Sequence, residues 1–250
     1  MKIVFLSIFP EIIESYLSAS VIGKSVEKGL LEYQILNIRD FSKDKHKKVD
    51  DYVMGGGKGM LFKPEPLYDA ILHSKKILPS SKVVYMSPKG RLMNKDTLIE
   101  FSRYDEFVIV CGRYEGVDER VVDLIVDEEI SIGDFVVTGG ELPALIFSDA
   151  LVRVKGLLQE EVTKNESFSY LDGLLEYDQY TRPREFLGLK VPEVLVSGNH
   201  KEIDKWRRMC ALKNTYLKRP DLLHKVKLSR EDVTFLSNLA KEIYNLSKFY

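Results

Sequence analysis

Up to about residue 156, short apolar runs rich in β-forming residues alternate with stretches of helical period, a pattern that few folds accept other than a parallel sheet covered by helices. The runs are residues 3–9, 31–38, 83–87, 107–111 and 130–138. Helices are expected at 10–17, 64–77, 94–102, 118–126 and 142–153, several of them opened by Pro, Asn or Asp as helix starts often are. The fold class is therefore α/β. From residue 157 to about 180 the chain is polar, acidic and without a period, which predicts a flexible interdomain linker. Helical patterns return at 201–216 and 231–249, joined by Arg219-Pro220-Asp221. The expected organisation is a first domain at 1–157, a linker at 158–180 and a small helical domain at 181–250.

At 250 residues, 44% hydrophobic and 30% charged, the chain can bury a sizeable core. No apolar run approaches the roughly 18 residues a membrane helix needs, so no membrane partner is expected. The apolar stretch at 3–9 lacks a long basic flank and a small-residue cleavage site, and reads as a first buried strand. Only Cys111 and Cys210 are present, in no metal or disulfide spacing, which fits a reducing cytoplasm and cysteines used for packing. Net charge is −1, but its distribution is uneven. Between Lys201 and Lys227 nine Lys and Arg face three Asp and Glu, a local +6, which leaves −7 on the rest of the chain. Lys and Arg displace counterions from phosphates, so this segment, with Lys205, Arg207, Arg208, Lys218 and Arg219, is a candidate RNA-backbone contact; the plainer alternative is a solvated helix face with Trp206 in a local core.

Ligands of open parallel sheets bind beyond the carboxyl ends of the strands. Three strand ends here carry glycine: Ser87-Pro88-Lys89-Gly90-Arg91, Cys111-Gly112-Arg113-Tyr114-Glu115-Gly116 and Thr138-Gly139-Gly140-Glu141. One such loop is ordinary turn chemistry, whereas three at successive strand ends point to a ligand that approaches exposed backbone groups. The cluster Gly55-Gly56-Gly57-Lys58-Gly59-Met60 is not a phosphate loop, because no Ser or Thr follows the lysine to meet magnesium. His46 lies among Lys43, Lys45, Lys47 and Lys48 and reads as a solvated surface or a phosphate contact.

Taken together, Ser87-Pro88-x-Gly-Arg, Cys111-Gly-Arg-Tyr-Glu-Gly116-x-Asp118-Glu-Arg120, Ser131-Ile-Gly-Asp134, Thr138-Gly-Gly-Glu-Leu-Pro143, Tyr180-Thr-Arg-Pro183 and Trp206-Arg207 resemble the bacterial tRNA (guanine-N1)-methyltransferases, the TrmD family. The resemblance is colinear from the first strand to about Leu223. It implies a parallel-sheet SPOUT fold with a trefoil knot plus a small C-terminal helical domain, and a homodimer with each active site at the interface. The implied activity is methyl transfer from S-adenosyl-L-methionine to N1 of guanosine 37 of tRNA, 3′ of the anticodon. Carried over to this chain, the donor site is Ser87, Pro88, Gly112, Tyr114, Glu115, Ile132, Gly133, Asp134, Phe135, Val136, Val137, Gly139 and Gly140. Arg153 matches the arginine that stabilises charge on O6. Magnesium is also implied, with no ligand set assignable.

Guanine N1 carries a proton at neutral pH, so a carboxylate must act as base. The family places an aspartate before Ser-Phe; here Glu166 precedes Ser167-Phe168, and the spacing to Gly173-Leu174-Leu175 is two residues longer than usual. Glu166 is the preferred base, and Asp172 the alternative if the extra residues loop out. Two other departures are Asp50-Asp51-Tyr52-Val53-Met54, where the family has Asp-Asp-x-Pro-Tyr, and Asn199 in place of the first of two histidines. The competing readings are a SPOUT enzyme that methylates a ribose or another base, and a non-catalytic RNA-binding protein.

Overall fold

The computed structural model describes residues 1–158 and 173–246. The chain divides into two compact units, Met1–Lys164 and Asn165–Tyr250.

The first unit is built on a five-stranded sheet, β1 (Lys2–Ser7), β2 (Glu32–Asn37), β5 (Lys82–Leu92), β6 (Glu106–Cys111) and β7 (Glu128–Ser131), in the order β2-β1-β6-β5-β7. All neighbours are parallel, with Lys2 opposite both Glu32 and Glu106, Lys82 opposite Phe107 and Val84 opposite Glu128. Parallel strands are buried on both faces, which is why β1 and β6 are continuous apolar runs. Successive β1 side chains serve opposite layers: Ile3 and Phe5 join one core, Val4 and Leu6 the other. On the first face lie α1 (Pro10–Leu17), α2 (Ser20–Glu27), α4 (Lys95–Phe101) and α6 (Glu141–Val154), where Phe147 meets Phe101 edge-on at 5.3 Å. On the second lie α3 (Pro64–Ile77), α5 (Glu119–Ile125) and a 3-10 turn at Ile38–Phe41. A short antiparallel hairpin, β3 (Asp50–Tyr52) and β4 (Met60–Phe62), carries the glycine cluster in its loop.

Two strand ends differ from the sequence expectation. β5 does not stop at Ser87: it leaves the sheet between Met86 and Arg91 and re-pairs, Arg91 with Ile130 and Leu92 with Ser131. β7 is shorter than the apolar run at 130–138. Its neighbour β5 ends opposite Ser131, and the Ser131 hydroxyl turns the chain by donating to the Gly133 carbonyl at 3.1 Å. Residues 132–138 are therefore loop, apolar because of what they line. α2 had no counterpart among the expected helices.

The second unit contains a hairpin, β8 (Glu185–Phe186) with β9 (Leu189–Lys190), then α7 (Glu193–Val196), α8 (His200–Lys218), a 3-10 turn at Pro220–Lys225 and α9 (Arg230–Leu246). Asn199 caps α8, its side-chain oxygen accepting the Glu202 N–H at 3.4 Å. The core of this unit is Leu174, Ala211 and Leu212, with Leu223, Val226 and Phe235 against it. Residues 174–178 lie along α8: the Leu175 N–H donates to Thr215 Oγ1 at 2.8 Å, and Asn214 Nδ2 donates to the Glu176 carbonyl and the Asp178 carboxylate, both at 2.9 Å. Leu158 packs in the core of the first unit. The stretch expected as a linker is thus packed at both of its described ends, and Glu166 and Asp172 lie outside the described residues.

α9 opens with a capping box: the Asp232 N–H donates to Ser229 Oγ at 3.1 Å, and the Ser229 N–H to Asp232 Oδ2 at 2.9 Å. Arg208 Nη2 donates to the same carboxylate at 3.0 Å, binding α8 to α9. Burial alone would raise the Asp232 pKa; the Arg208 and Ser229 bonds outweigh it and hold the carboxyl below the usual range. Arg208→Ala should lower the stability of this unit by about 1–2 kcal/mol, because Asp232 stays buried without its partner. Arg207→Ala, which loses an exposed pair with Asp204 and a contact with the Tyr177 ring at the surface, should cost less, under about 1 kcal/mol. A depressed carboxyl stabilises above its unfolded pKa and ceases to do so below its folded one. The gap between parent and Arg208→Ala in urea unfolding should therefore be constant above about pH 4 and close as the pH falls further.

Candidate functional site

Because β5, β6 and β7 run the same way, the 87–90 excursion of β5 and the segments that follow β6 and β7 open at one end of the sheet. They enclose a cleft of about 490 Å³. Of the thirteen residues expected at the donor site, all but Gly133 and Asp134 line it. The 87–90 segment reaches the cleft as the excursion from β5, not as a loop at the strand end.

The 112–118 turn is braced by β4. The Glu115 N–H donates to the Met60 carbonyl at 2.9 Å, and the Phe62 N–H to the Gly116 carbonyl at 3.0 Å. These bonds hold Tyr114 at φ +61, a left-handed conformation unusual for a non-glycine residue, with its ring edge-on to Phe62 at 5.4 Å. The hairpin's glycine cluster has a local reason too: Gly59, at φ +91, lies so close to Glu115 that a Cβ there would meet its side chain at 2.5 Å. Beneath the turn is Tyr85, which the sequence did not single out. Burial, then the charges of Glu129 and Glu119, push its hydroxyl to about 12, so it stays protonated while accepting the Val117 N–H. Cys111, fully buried, has its thiol pushed well above the usual value by burial and is a packing residue.

A buried carboxylate holds the third loop. Glu141, 1% exposed in the first turn of α6, accepts from Ser7 Oγ at 2.6 Å and from Arg113 Nε at 3.0 Å. Arg113 also donates to the Thr138 carbonyl at 3.0 Å and lies 4.5 Å from the centre of the Phe9 ring. β1, the turn after β6 and the start of α6 therefore share one ion pair. Gly140 permits it: its N–H donates to the Gly112 carbonyl at 2.7 Å, and a Cβ would lie 2.6 Å from the Gly112 nitrogen and 2.7 Å from the Cys111 Cα. The close approach expected of a ligand to glycine is, at Gly140, an approach of backbone to backbone.

Arg153 does not line the cleft. It sits in the last turn of α6, twelve residues after Glu141 and so roughly 18 Å along the axis at about 1.5 Å per residue. Nearby, Tyr16 donates to Asp149 at 2.6 Å; that bond, then burial, raises the tyrosine pKa to about 12, against the opposing charge of Arg153. In the second unit Lys205 and Arg207 are exposed on α8 and hold the exposed carboxylates of Glu231 at 3.6 Å and Asp204 at 3.3 Å; Arg219 pairs with Asp221 at 2.8 Å, beside exposed Lys218. Arg208 is turned to Asp232. Among the described residues no group of three or more His, Cys, Asp or Glu could hold a metal ion. No helix among them is long and apolar enough to cross a membrane.

Gly140→Ala should destabilise the first unit by about 1–3 kcal/mol, since neither neighbour is a side chain that can swing away. Glu141→Gln should cost more, about 3–5 kcal/mol, by leaving Arg113 unpaired. Urea unfolding followed by circular dichroism measures both, and an unchanged midpoint in Gly140→Ala would contradict the close approach.

The family model described as tRNA (guanine-1)-methyltransferase TrmD matches residues 1–225. The chain is similar to the tRNA (guanine-N(1)-)-methyltransferase of Dictyoglomus turgidum, 49% identical with 97% of this chain and 98% of that protein covered. It is 51% identical to the protein of the same name from Clostridioides difficile, over 90% of this chain and 98% of that one. The relative from Caldanaerobacter subterraneus is also 51% identical, over 95% and 98%. A family match over most of its length, with half of its residues shared with such relatives, shows that this chain belongs to the TrmD family of tRNA (guanine-1)-methyltransferases.

Proposed function

We propose that the protein transfers a methyl group from S-adenosyl-L-methionine to N1 of guanosine 37 of tRNA, 3′ of the anticodon. The observation that carries this reading is the convergence of three glycine-bearing segments, far apart in sequence, on one cleft of a size suited to a small ligand. Relatives half identical to the chain are named for guanine-N1 methylation of tRNA. The donor residues are Ser87, Pro88, Gly112, Tyr114, Glu115, 132–137, Gly139 and Gly140. Backbone groups of these turns suit the edge of a purine and a carboxylate, and exposed Phe135 and Val136 offer apolar surface at the rim. Bound donor supplies an electrophilic methyl group on a sulfonium.

The first unit is then the donor-binding domain and the second the tRNA-binding domain, with Lys205, Arg207, Lys218 and Arg219 on phosphates. Arg208 joins them only by releasing Asp232, which it holds at 3.0 Å. A trefoil knot in the first unit is supported by the path of the chain. After β7 at the sheet edge it returns to the carboxyl end of β6, where Gly140 bonds Gly112, and α6 packs beyond that crossing against α1, α4 and β6.

A homodimer is supported by the distance of Arg153 from the cleft of its own chain. Leu142, Ile146, Asp149 and Arg153 fall on one stripe of α6, with spacings of four, three and four, and the first two are about half exposed. A second copy packed on this stripe brings its own Arg153 to the cleft. There the guanidinium stabilises negative charge on O6 as the N1 proton leaves. Glu166 is the proposed base and Asp172 the alternative. Either carboxyl is far more acidic than N1, so the base depends on Arg153 and on desolvation when the site closes. No ligand set is proposed for magnesium.

Nucleoside analysis of tRNA incubated with enzyme and donor should yield 1-methylguanosine; a ribose-methylated nucleoside, or none, would select one of the competing readings. Glu166→Gln and Arg153→Ala should each slow single-turnover methylation at least about 100-fold while sparing donor binding. If Asp172→Asn is the inactive variant instead, the base is Asp172. Ile146→Glu should give monomers in sedimentation and an inactive enzyme; an active monomer would sink the shared site.

A further inference from the structure

We propose that Tyr177, Tyr180 and Trp206 form a platform on which an unpaired nucleobase of bound tRNA stacks, a refinement that rests on the tRNA reading above. The Trp206 ring lies 6.4 Å from that of Tyr177, at 69°, and 6.2 Å from that of Tyr180, at 58°. The plain alternative is a satellite of the small core. That core, however, is Leu174, Ala211 and Leu212, and of the three rings only Tyr177 packs against it. Tyr180 is 49% exposed and Trp206 half-buried, so aromatic surface remains open to solvent.

Charge decides what suits this surface. The Arg207 guanidinium sits 5.2 Å from the centre of the Tyr177 ring, Lys205 lies one position before Trp206, and Arg182 and Arg184 are exposed just beyond Tyr180. The ion pairs of Lys205 and Arg207 with Glu231 and Asp204 are solvent-exposed and worth little, so phosphates can replace those carboxylates. An aromatic face ringed by exchangeable cations matches the two halves of a nucleotide. The need for such a face is physical: an enzyme that works on one base must draw it out of the loop, and its neighbours then lose a stacking partner. Stacking is tolerant of sequence, so this surface holds an unstacked base without reading which base it is.

Trp206 is the chain's single tryptophan, so its fluorescence reports on the platform directly. Titration of the full-length protein with a tRNA transcript should quench that emission in step with binding measured by filter retention. Tyr180→Leu should weaken tRNA binding about 5- to 150-fold, leaving the thermal midpoint and the salt dependence unchanged, because stacking releases no counterions. Tyr180→Phe should bind as the parent does. Arg207→Ala, by contrast, should reduce the slope of log affinity against log salt by about one. Emission unchanged at saturating tRNA, or Tyr180→Leu binding like the parent, overturns the platform while the parent still methylates. A parent that neither binds nor methylates tRNA overturns the tRNA reading with it.

Discussion

The backbone of Gly140 lies against that of Cys111 and Gly112, and the groups that face the cleft are placed by that contact. No room for even a methyl group is left between the two segments, and the Gly140 N–H bond to the Gly112 carbonyl, at 2.7 Å, ties the end of the 132–140 loop to the turn after β6. The start of α6 is thereby held against the end of β6. Glu141, next in sequence, is buried by the same closeness, and a carboxylate so deprived of water is stable only with strong partners, which Ser7 and Arg113 supply. Arg113 in turn fixes the backbone on both sides of the cleft through the Thr138 carbonyl. Packing sets the geometry, and the ion pair makes departure from it costly.

The second unit repeats the device with different parts. Asp232, like Glu141, is a buried acid in the first turn of a helix that grips an arginine from a neighbouring element. In both cases the negative charge sits at the positive end of the helix dipole, which offsets part of its desolvation. The consequence for binding is a division of labour along α8. Arg208 faces inward and holds the unit together, while Lys205 and Arg207 remain on the surface with partners they can exchange.

Much of this was legible in the sequence because parallel strands buried on both faces leave uninterrupted apolar runs, and because caps such as Asn94 and Asp118 announce their helices. The three glycine-bearing segments were legible as a group, and eleven of thirteen expected residues do meet in one cleft. What escaped depended on distant neighbours. That β5 resumes after Ser87 follows from pairing with β7, and that 132–138 is not strand follows from where β5 stops. Tyr85 resembles any strand residue until the turn above it is known. Arg208 could not be separated from Arg207 by type or spacing, since the difference between them is the buried Asp232, 24 residues further on.

The pairing of β1 with β6 has a consequence for the order in which the chain can fold. Lys2 aligns with Glu106, so the first strand to be synthesised waits for a partner 104 residues later. At about 5–20 residues per second, that is an interval of roughly 5–20 s in which one edge of an apolar strand has no mate. Only β2 can shelter β1 meanwhile, joined to it through α1 and α2. The early β1-α1-α2-β2 segment thus acts as a holding structure, and the sheet is completed from its centre outward only after its fourth and fifth strands in chain order have arrived. Such non-local closure belongs to slow-folding topologies, in which the opening segment must keep an unsatisfied edge from finding the wrong partner.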